Sequence, residues 1–176
     1  YKRFVLNLPF HGYALLCIDH PEVQTLAAQV SDRKVITYGF NPQADIRADN
    51  VRSGANGSTF DVTFAGWLNE DGQDLEIKDI HLSMLGRHNV QNSLVALGVA
   101  KEMNVPSDVM KKALSNFGGV KRRFTKTGEV DGITIIDDYA HHPVEIDVVL
   151  KTARSAVKES GGNVIAVMQP HRYSRL

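Results

Sequence analysis

Ile133-Thr134-Ile135-Ile136-Asp137-Asp138-Tyr139-Ala140-His141-His142-Pro143 is a short β-branched run that stops at two carboxylates and passes through two imidazoles into a proline. Apolar runs of this length read as buried strands of a parallel sheet. In such sheets ligands collect just beyond the carboxyl ends of the strands. Titratable groups bunched there are expected to meet a ligand. The pattern recurs downstream, where Asn163-Val164-Ile165-Ala166-Val167-Met168 leads into Gln169-Pro170-His171-Arg172-Tyr173-Ser174-Arg175. Two strand ends loaded with His, Arg and Asp point to an enzyme-type site.

Upstream, Tyr13 to Asp19 reads as a buried strand, and His20-Pro21-Glu22 opens a helix to about Val30, since proline suits a first helical turn. Lys34 to Phe40 is a second strand, so strand–helix–strand suggests parallel pairing. Residues 44–48, 58–65 and 73–85 then alternate apolar with polar side chains. Between them lie Ser53-Gly54-Ala55-Asn56-Gly57 and Asn69-Glu70-Asp71-Gly72, as expected of an antiparallel patch. Asn89 to Met103 has helical spacing, and a second helix, capped by Ser107 or Asp108 after Pro106, runs to about Phe117. Gly118-Gly119-Val120 breaks the pattern and reads as a domain boundary. A strand pair at 124–129 and 133–136, a helix from Pro143 to about Val157 and a final strand follow. The expected class is α/β: the end of a parallel-sheet domain with an antiparallel β patch over 1–120, then the start of a second domain over 121–176.

With 43% apolar and 23% charged residues the chain has the balance of a globular domain with a real core. A formal net charge of zero supplies no global field toward nucleic acid or membrane, so neither is expected as a partner. The lone Cys17 rules out an internal disulfide and fits a reducing, cytoplasmic setting. No stretch approaches the roughly 18 consecutive apolar residues of a membrane helix. The chain opens on Tyr1-Lys2-Arg3-Phe4 and stops at Leu176 just after the second loaded loop, so both ends read as cut from a longer protein.

Four constellations carry chemistry. In Gly86-Arg87-His88-Asn89-Val90-Gln91-Asn92, Asn89 and Asn92 are three apart and share a helical face. Their amides offer donor and acceptor together, as an adenine edge requires; alternatively Asn89 caps the helix and Asn92 is solvated. In Lys121-Arg122-Arg123-Phe124 a guanidinium can hold a phosphate bidentately, or the run is a solvated basic patch with Phe124 anchoring a core. At the opening motif Asp138 can accept a ribose hydroxyl and Asp137 can orient a neighbour; alternatively the aspartates and Pro143 simply start the helix. His141 and His142 are adjacent, so one is expected to meet ligand and the other to support the loop. They lack the spacing of metal ligands, and no metal site is expected here. His171 and Arg175 share a face if their loop turns into a helix, and can clamp a carboxylate; alternatively they belong to an ordinary exposed basic turn.

In this order, Gly-x-His-Asn-x-x-Asn, Arg-Arg-Phe and Asp-Asp-Tyr-x-His-His-Pro resemble the Mur ligase family of peptidoglycan synthesis across essentially the whole chain. With Gln169 to Arg175 they look like its alanine-adding branch. The resemblance implies the later part of a central ATPase domain and the start of a Rossmann-like C-terminal domain. It implies that ATP, with Mg2+, activates the carboxylate of UDP-N-acetylmuramate as an acyl phosphate, which the amine of L-alanine attacks. Asn89 and Asn92 would contact adenine, Arg123 the terminal phosphates and Asp138 the ribose. His141 or His142, with His171 and Arg175, would place the amino acid and the carboxylate. Two alternatives stand beside this: a recycling ligase that joins a whole peptide to UDP-N-acetylmuramate, and a non-catalytic nucleotide-binding fragment. The family's Gly-Lys-Thr phosphate loop is absent from these 176 residues, and so are the acidic and histidine Mg2+ ligands expected upstream. The chain alone is therefore expected not to ligate.

Overall fold

The computed structural model describes residues 2–30, 32–54, 57–158 and 161–169. After a short helix, α1 (Lys2–Leu6), a five-stranded sheet forms from β1 (Tyr13–Cys17), β2 (Lys34–Gly39), β3 (Ile46–Gly54), β4 (Gly57–Phe64) and β5 (Leu75–Leu82), in that spatial order. β1 and β2 are parallel and joined through α2 (Pro21–Ala28), as the strand–helix–strand pattern anticipates. β3 continues parallel to β2 over Tyr38↔Ile46 and Gly39↔Arg47, then pairs antiparallel with β4, and β4 with β5. The α/β class holds, and the antiparallel patch is one edge of the parallel sheet.

Apolar side chains on β4 explain its place in the core. Phe60, Val62 and Phe64 have no exposure at all, and Ile36, Ile46, Ile80 and Leu82 from neighbouring strands join them. The stripe Val90, Leu94 and Leu97 on α3 (Arg87–Glu102) closes the core from above. Gly98 lets this helix sit low: a Cβ there would stand 2.8 Å from Ile46 Cδ1 and 2.9 Å from Leu15 Cδ2. α4 (Ser107–Ser115) packs beside β5 through Met110.

β3 extends well past the 44–48 expected from alternation. Its second half is polar and carries a bulge, with Asn50 in the left-handed region at φ 51° and its Nδ2 donating to Asp61 Oδ2 at 2.8 Å. The extra residue breaks the two-residue period, so a strand looked like a loop. α4 is also capped differently from expectation. Pro106 is its N-cap residue, and no side chain makes a cap bond; Ser107 and Asp108 lie in the first turn.

Beyond Val120, β6 (Thr125–Val130) and β7 (Ile133–Asp137) form a separate antiparallel hairpin, followed by α5 (Pro143–Val157). Asp131 at φ 50° and Gly132 at φ 78° supply the two left-handed residues of a tight two-residue turn. The opening run is thus an antiparallel strand rather than a buried parallel one, with Ile133 67% and Ile135 50% exposed. The expected final strand at 163–168 is not formed: residues 162–169 carry no regular structure, and Val167 is 96% exposed. A strand exists only by pairing, and this run finds no strand partner among the described residues.

Candidate functional site

The start of α3, the linker after α4, and the loop between β7 and α5 enclose a cavity of about 780 Å³. Its walls include Leu82, Ala113, Leu114 and Val148, and its polar groups include Asn89, Asn92, Arg123 and Asp138. These four residues come from three separate motifs, and the fold brings them to one place. The volume falls in the ordinary range for a small-molecule pocket.

α3 starts at Gly86, whose φ of 98° suits glycine, and this fixes where the amides point. Asn89 is not the helix cap. It lies inside the first turn, buried to 9% exposure, with Nδ2 donating to Leu85 O at 2.7 Å. Asn92, one turn later, is exposed at the cavity wall. The shared face expected from the three-residue spacing is the face that meets the cavity.

Arg123 sits between two residues in the left-handed region, Arg122 at φ 59° and Phe124 at φ 50°. Non-glycine residues seldom adopt this conformation, and here Asp138 holds it. Asp138 Oδ2 accepts from Phe124 N at 2.7 Å, and Oδ1 accepts from Ala140 N at 2.7 Å. Each carboxylate oxygen keeps a further lone pair, so Asp138 can clamp the loop and still accept from a ligand. Asp137 orients a neighbour as expected: it pairs with Arg122 Nε at 3.4 Å, and that guanidinium lies 4.9 Å from the Tyr139 ring centroid. Phe124 is half-buried and precedes β6; it is outside the main core cluster.

The two histidines part company. His142 is the N-cap residue of α5, its Nδ1 accepting from Val144 N at 3.3 Å. Glu145 completes a capping box by accepting from the backbone of both His141 and His142, each at 3.2 Å. Those N–H donors, the His141 one foremost, hold the Glu145 carboxyl below its usual range. The helix start is therefore held by His142, Pro143 and Glu145 and not by the aspartates. His141 Nδ1 meets Tyr139 O at 2.9 Å, and its ring contacts the Tyr139 ring edge-on at 5.1 Å. Neither histidine is among the residues lining the cavity. His171 and Arg175 lie outside the described residues.

Sequence reasoning missed His88 and Glu145, both of which line the cavity. Glu145 was readable from the His142-x-x-Glu145 spacing of a capping box. His88 had a subtler signal in the glycine two residues before it. A Cβ on Gly86 would stand 2.6 Å from His88 Cε1, so the backbone makes room for the ring. Burial pushes the His88 imidazole below its ordinary value, opposed by the Asp138 charge and reinforced by Arg123. Among the described residues no group of three or more His, Cys, Asp or Glu is placed to hold a metal ion. No described helix is long and apolar enough to cross a membrane. An apolar slot bounded by two amides, a carboxylate and a guanidinium suits a planar polar ring with an anionic tail.

Comparison with known proteins bears on this geometry. The Mur ligase middle domain model matches residues 1–100, and the Mur ligase glutamate ligase domain model matches residues 122–175. A UDP-N-acetylmuramate–L-alanine ligase of Paramagnetospirillum magneticum is 57% identical over all 176 residues, which span 36% of its length. Among solved structures, Acinetobacter baumannii MurF superimposes with a TM-score of 0.69 at 18% identity, covering 86% of this chain and 32% of that one. The Thermotoga maritima UDP-N-acetylmuramate-alanine ligase MurC gives 0.58 at 25% identity, covering 76% of this chain and 29% of that one. With the middle-domain model alone matching more than half of its residues, the chain belongs to the Mur ligase family.

Proposed function

We propose that this chain carries the nucleotide-binding junction of an ATP-dependent ligase that joins L-alanine to UDP-N-acetylmuramate in the cytoplasm. The observation that carries the reading is the single cavity walled by Asn89, Asn92, Arg123 and Asp138. The 57% identity to a protein named for that reaction supports the choice of substrates.

In this reading the domains divide at about residue 120. The free faces of Asn89 and Asn92 meet adenine against the apolar wall, Asp138 meets a ribose hydroxyl, and Arg123 draws the phosphates toward the mouth. ATP passes its terminal phosphoryl group to the substrate carboxylate, giving an acyl phosphate and ADP; attack by the alanine amine then forms the amide and releases phosphate and a proton. One of His141 and His142, together with His171 and Arg175, places the carboxylate and amino acid. Among the described residues no three or more His, Cys, Asp or Glu stand together to hold a metal ion, and Mg2+ is assigned to acidic and histidine ligands elsewhere in the full-length enzyme. Because the cavity is shared between the two domains, closing them brings Asp138 and Arg123 onto a nucleotide held by α3 and shields the acyl phosphate from water.

The test is Asn92→Ala in the full-length ligase carrying this segment. Asn92 is exposed, so folding is undisturbed, and KM for ATP should rise about tenfold, the cost of one well-placed hydrogen-bonding group. KM for UDP-N-acetylmuramate should stay put. An unchanged KM for ATP overturns the adenine assignment. These 176 residues alone should release no phosphate from ATP, and turnover by them would refute the need for a phosphate loop.

A further inference from the structure

We propose that His88 is a positioning residue of this cavity, tied to Thr152 of α5 across the notch at Gly86, so that filling the cavity and docking α5 onto α3 are one event. The proposal rests on the nucleotide reading above and adds a coupling to it.

Three observations converge at Gly86. The first concerns α5, which lies against the rest of the molecule with Thr152 as its one buried residue among those described. The second is the notch itself. A Cβ on Gly86 would stand 2.9 Å from Thr152 Oγ1 and 2.8 Å from His88 Nδ1, so both atoms crowd the space that a side chain would fill. The third is that His88 Nδ1 is buried and has no hydrogen-bond partner among the described residues. Buried polar atoms are rarely left so, and each one calls for an explanation.

Thr152 Oγ1 donates to Val148 O at 2.9 Å, which leaves its lone pairs open to a donor. Nδ1–H is the donor that matches, and a small shift or one bridging water joins the two atoms. That bond fixes the imidazole tautomer and ring angle at the cavity wall, beside Asn89. It also seats α5, whose first turn brings Glu145 and Val144 to the same cavity. Asp138 and Arg123 face His88 electrostatically from the loops of the second domain, so α5 docking and their placement go together.

The experiment uses the full-length ligase with Thr152→Val, Thr152→Ser, His88→Phe and the His88→Phe/Thr152→Val pair. Thr152→Val keeps shape and loses the hydroxyl, and KM for ATP should rise about three- to fivefold, as for one neutral hydrogen bond. Thr152→Ser should restore the wild-type value. His88→Phe should match Thr152→Val, and the double variant should be no worse than either single, since both remove the same bond. KM for L-alanine should not move. A wild-type KM for ATP in Thr152→Val, or effects of the two single changes that multiply in the double, overturns the tie. Asn92→Ala, run alongside, separates the two ideas. If it raises KM for ATP while Thr152→Val does not, only the tie falls; if neither does, the nucleotide reading falls as well. Should His88→Phe fail to fold, the Val and Ser variants at 152 decide the matter alone.

Discussion

β4 and β7 are both short apolar strands, yet one lies at the heart of the molecule and the other at its surface. Phe60, Val62 and Phe64 on β4 are fully buried, because β4 has a strand on each side and α3 above it. Ile133, Ile135 and Ile136 on β7 are exposed, because β7 pairs with β6 alone. Hydrophobicity selects the strand, but the number of neighbours decides what that strand contributes. The site lies where the two regimes meet, with α3 on the packed side and the linker, β7 and α5 on the sparse side. Such a boundary suits a site that must open and close, since the sparse side can move at low cost while the packed side keeps its shape.

The contrast is easiest to break with paired truncations. Phe60→Ala removes a buried ring from a strand that cannot collapse around the gap, and should cost about 3–5 kcal/mol. Ile135→Ala trims a half-exposed side chain, and should cost no more than about 0.5–1 kcal/mol. Urea midpoints of this chain give the comparison directly. Equal losses would mean that the hairpin carries a core that the burial pattern does not reveal.

His88 stands at the boundary and sharpens the contrast through pH. Burial depresses its folded pKa below the ordinary 6.5, so the unfolded chain takes up the proton first. Stability is then level above the unfolded pKa, falls as pH drops through it, and levels again below the folded value. The groups that act on the ring are Asp138, which resists the depression, and Arg123, which deepens it. His88→Phe should remove this fall in stability as pH drops below the ordinary histidine value of 6.5. A slope that persists in the variant would assign the titration to another group.

What the sequence made legible follows the same divide. The parallel β1–α2–β2 unit and the α3 stripe were readable because their periods are unbroken, although β1 is half-buried throughout where a buried strand was expected. The far half of β3 was not, because the Asn50 bulge replaces alternation with polar residues whose partners, such as Asp61, are distant in sequence. The 163–168 run misled in the opposite direction: its composition is that of a strand, but composition supplies no partner. At the site, Asn89, Asn92, Arg123 and Asp138 were legible as residues that share a cavity, through their motif order. His88 as a half-buried ring with a buried Nδ1 was not, since a histidine beside a helix start reads alike whether it is solvated or turned inward until the backbone places it.

The smallest effect belongs to Glu145, on the sparse side. Its carboxylate accepts from His141 N and His142 N and thereby sets the first turn of α5 against the cavity. Glu145→Ala should cost about 0.5–1 kcal/mol, the ordinary worth of a capping interaction. Because α5 buries little, this loss should appear as local opening and leave the main urea midpoint nearly unmoved. Amide hydrogen exchange should therefore quicken at His141 and His142 and stay unchanged in β4. The depressed Glu145 pKa gives an independent check. Its stabilisation is present above the unfolded value near 4.5 and is lost as pH falls through the lower folded value, so wild-type exchange at these amides should approach that of the variant in acid. If instead the substitution lowers protection in β4 as much as in α5, the two regions open as one cooperative unit, and the boundary drawn through the cavity is not a boundary in stability.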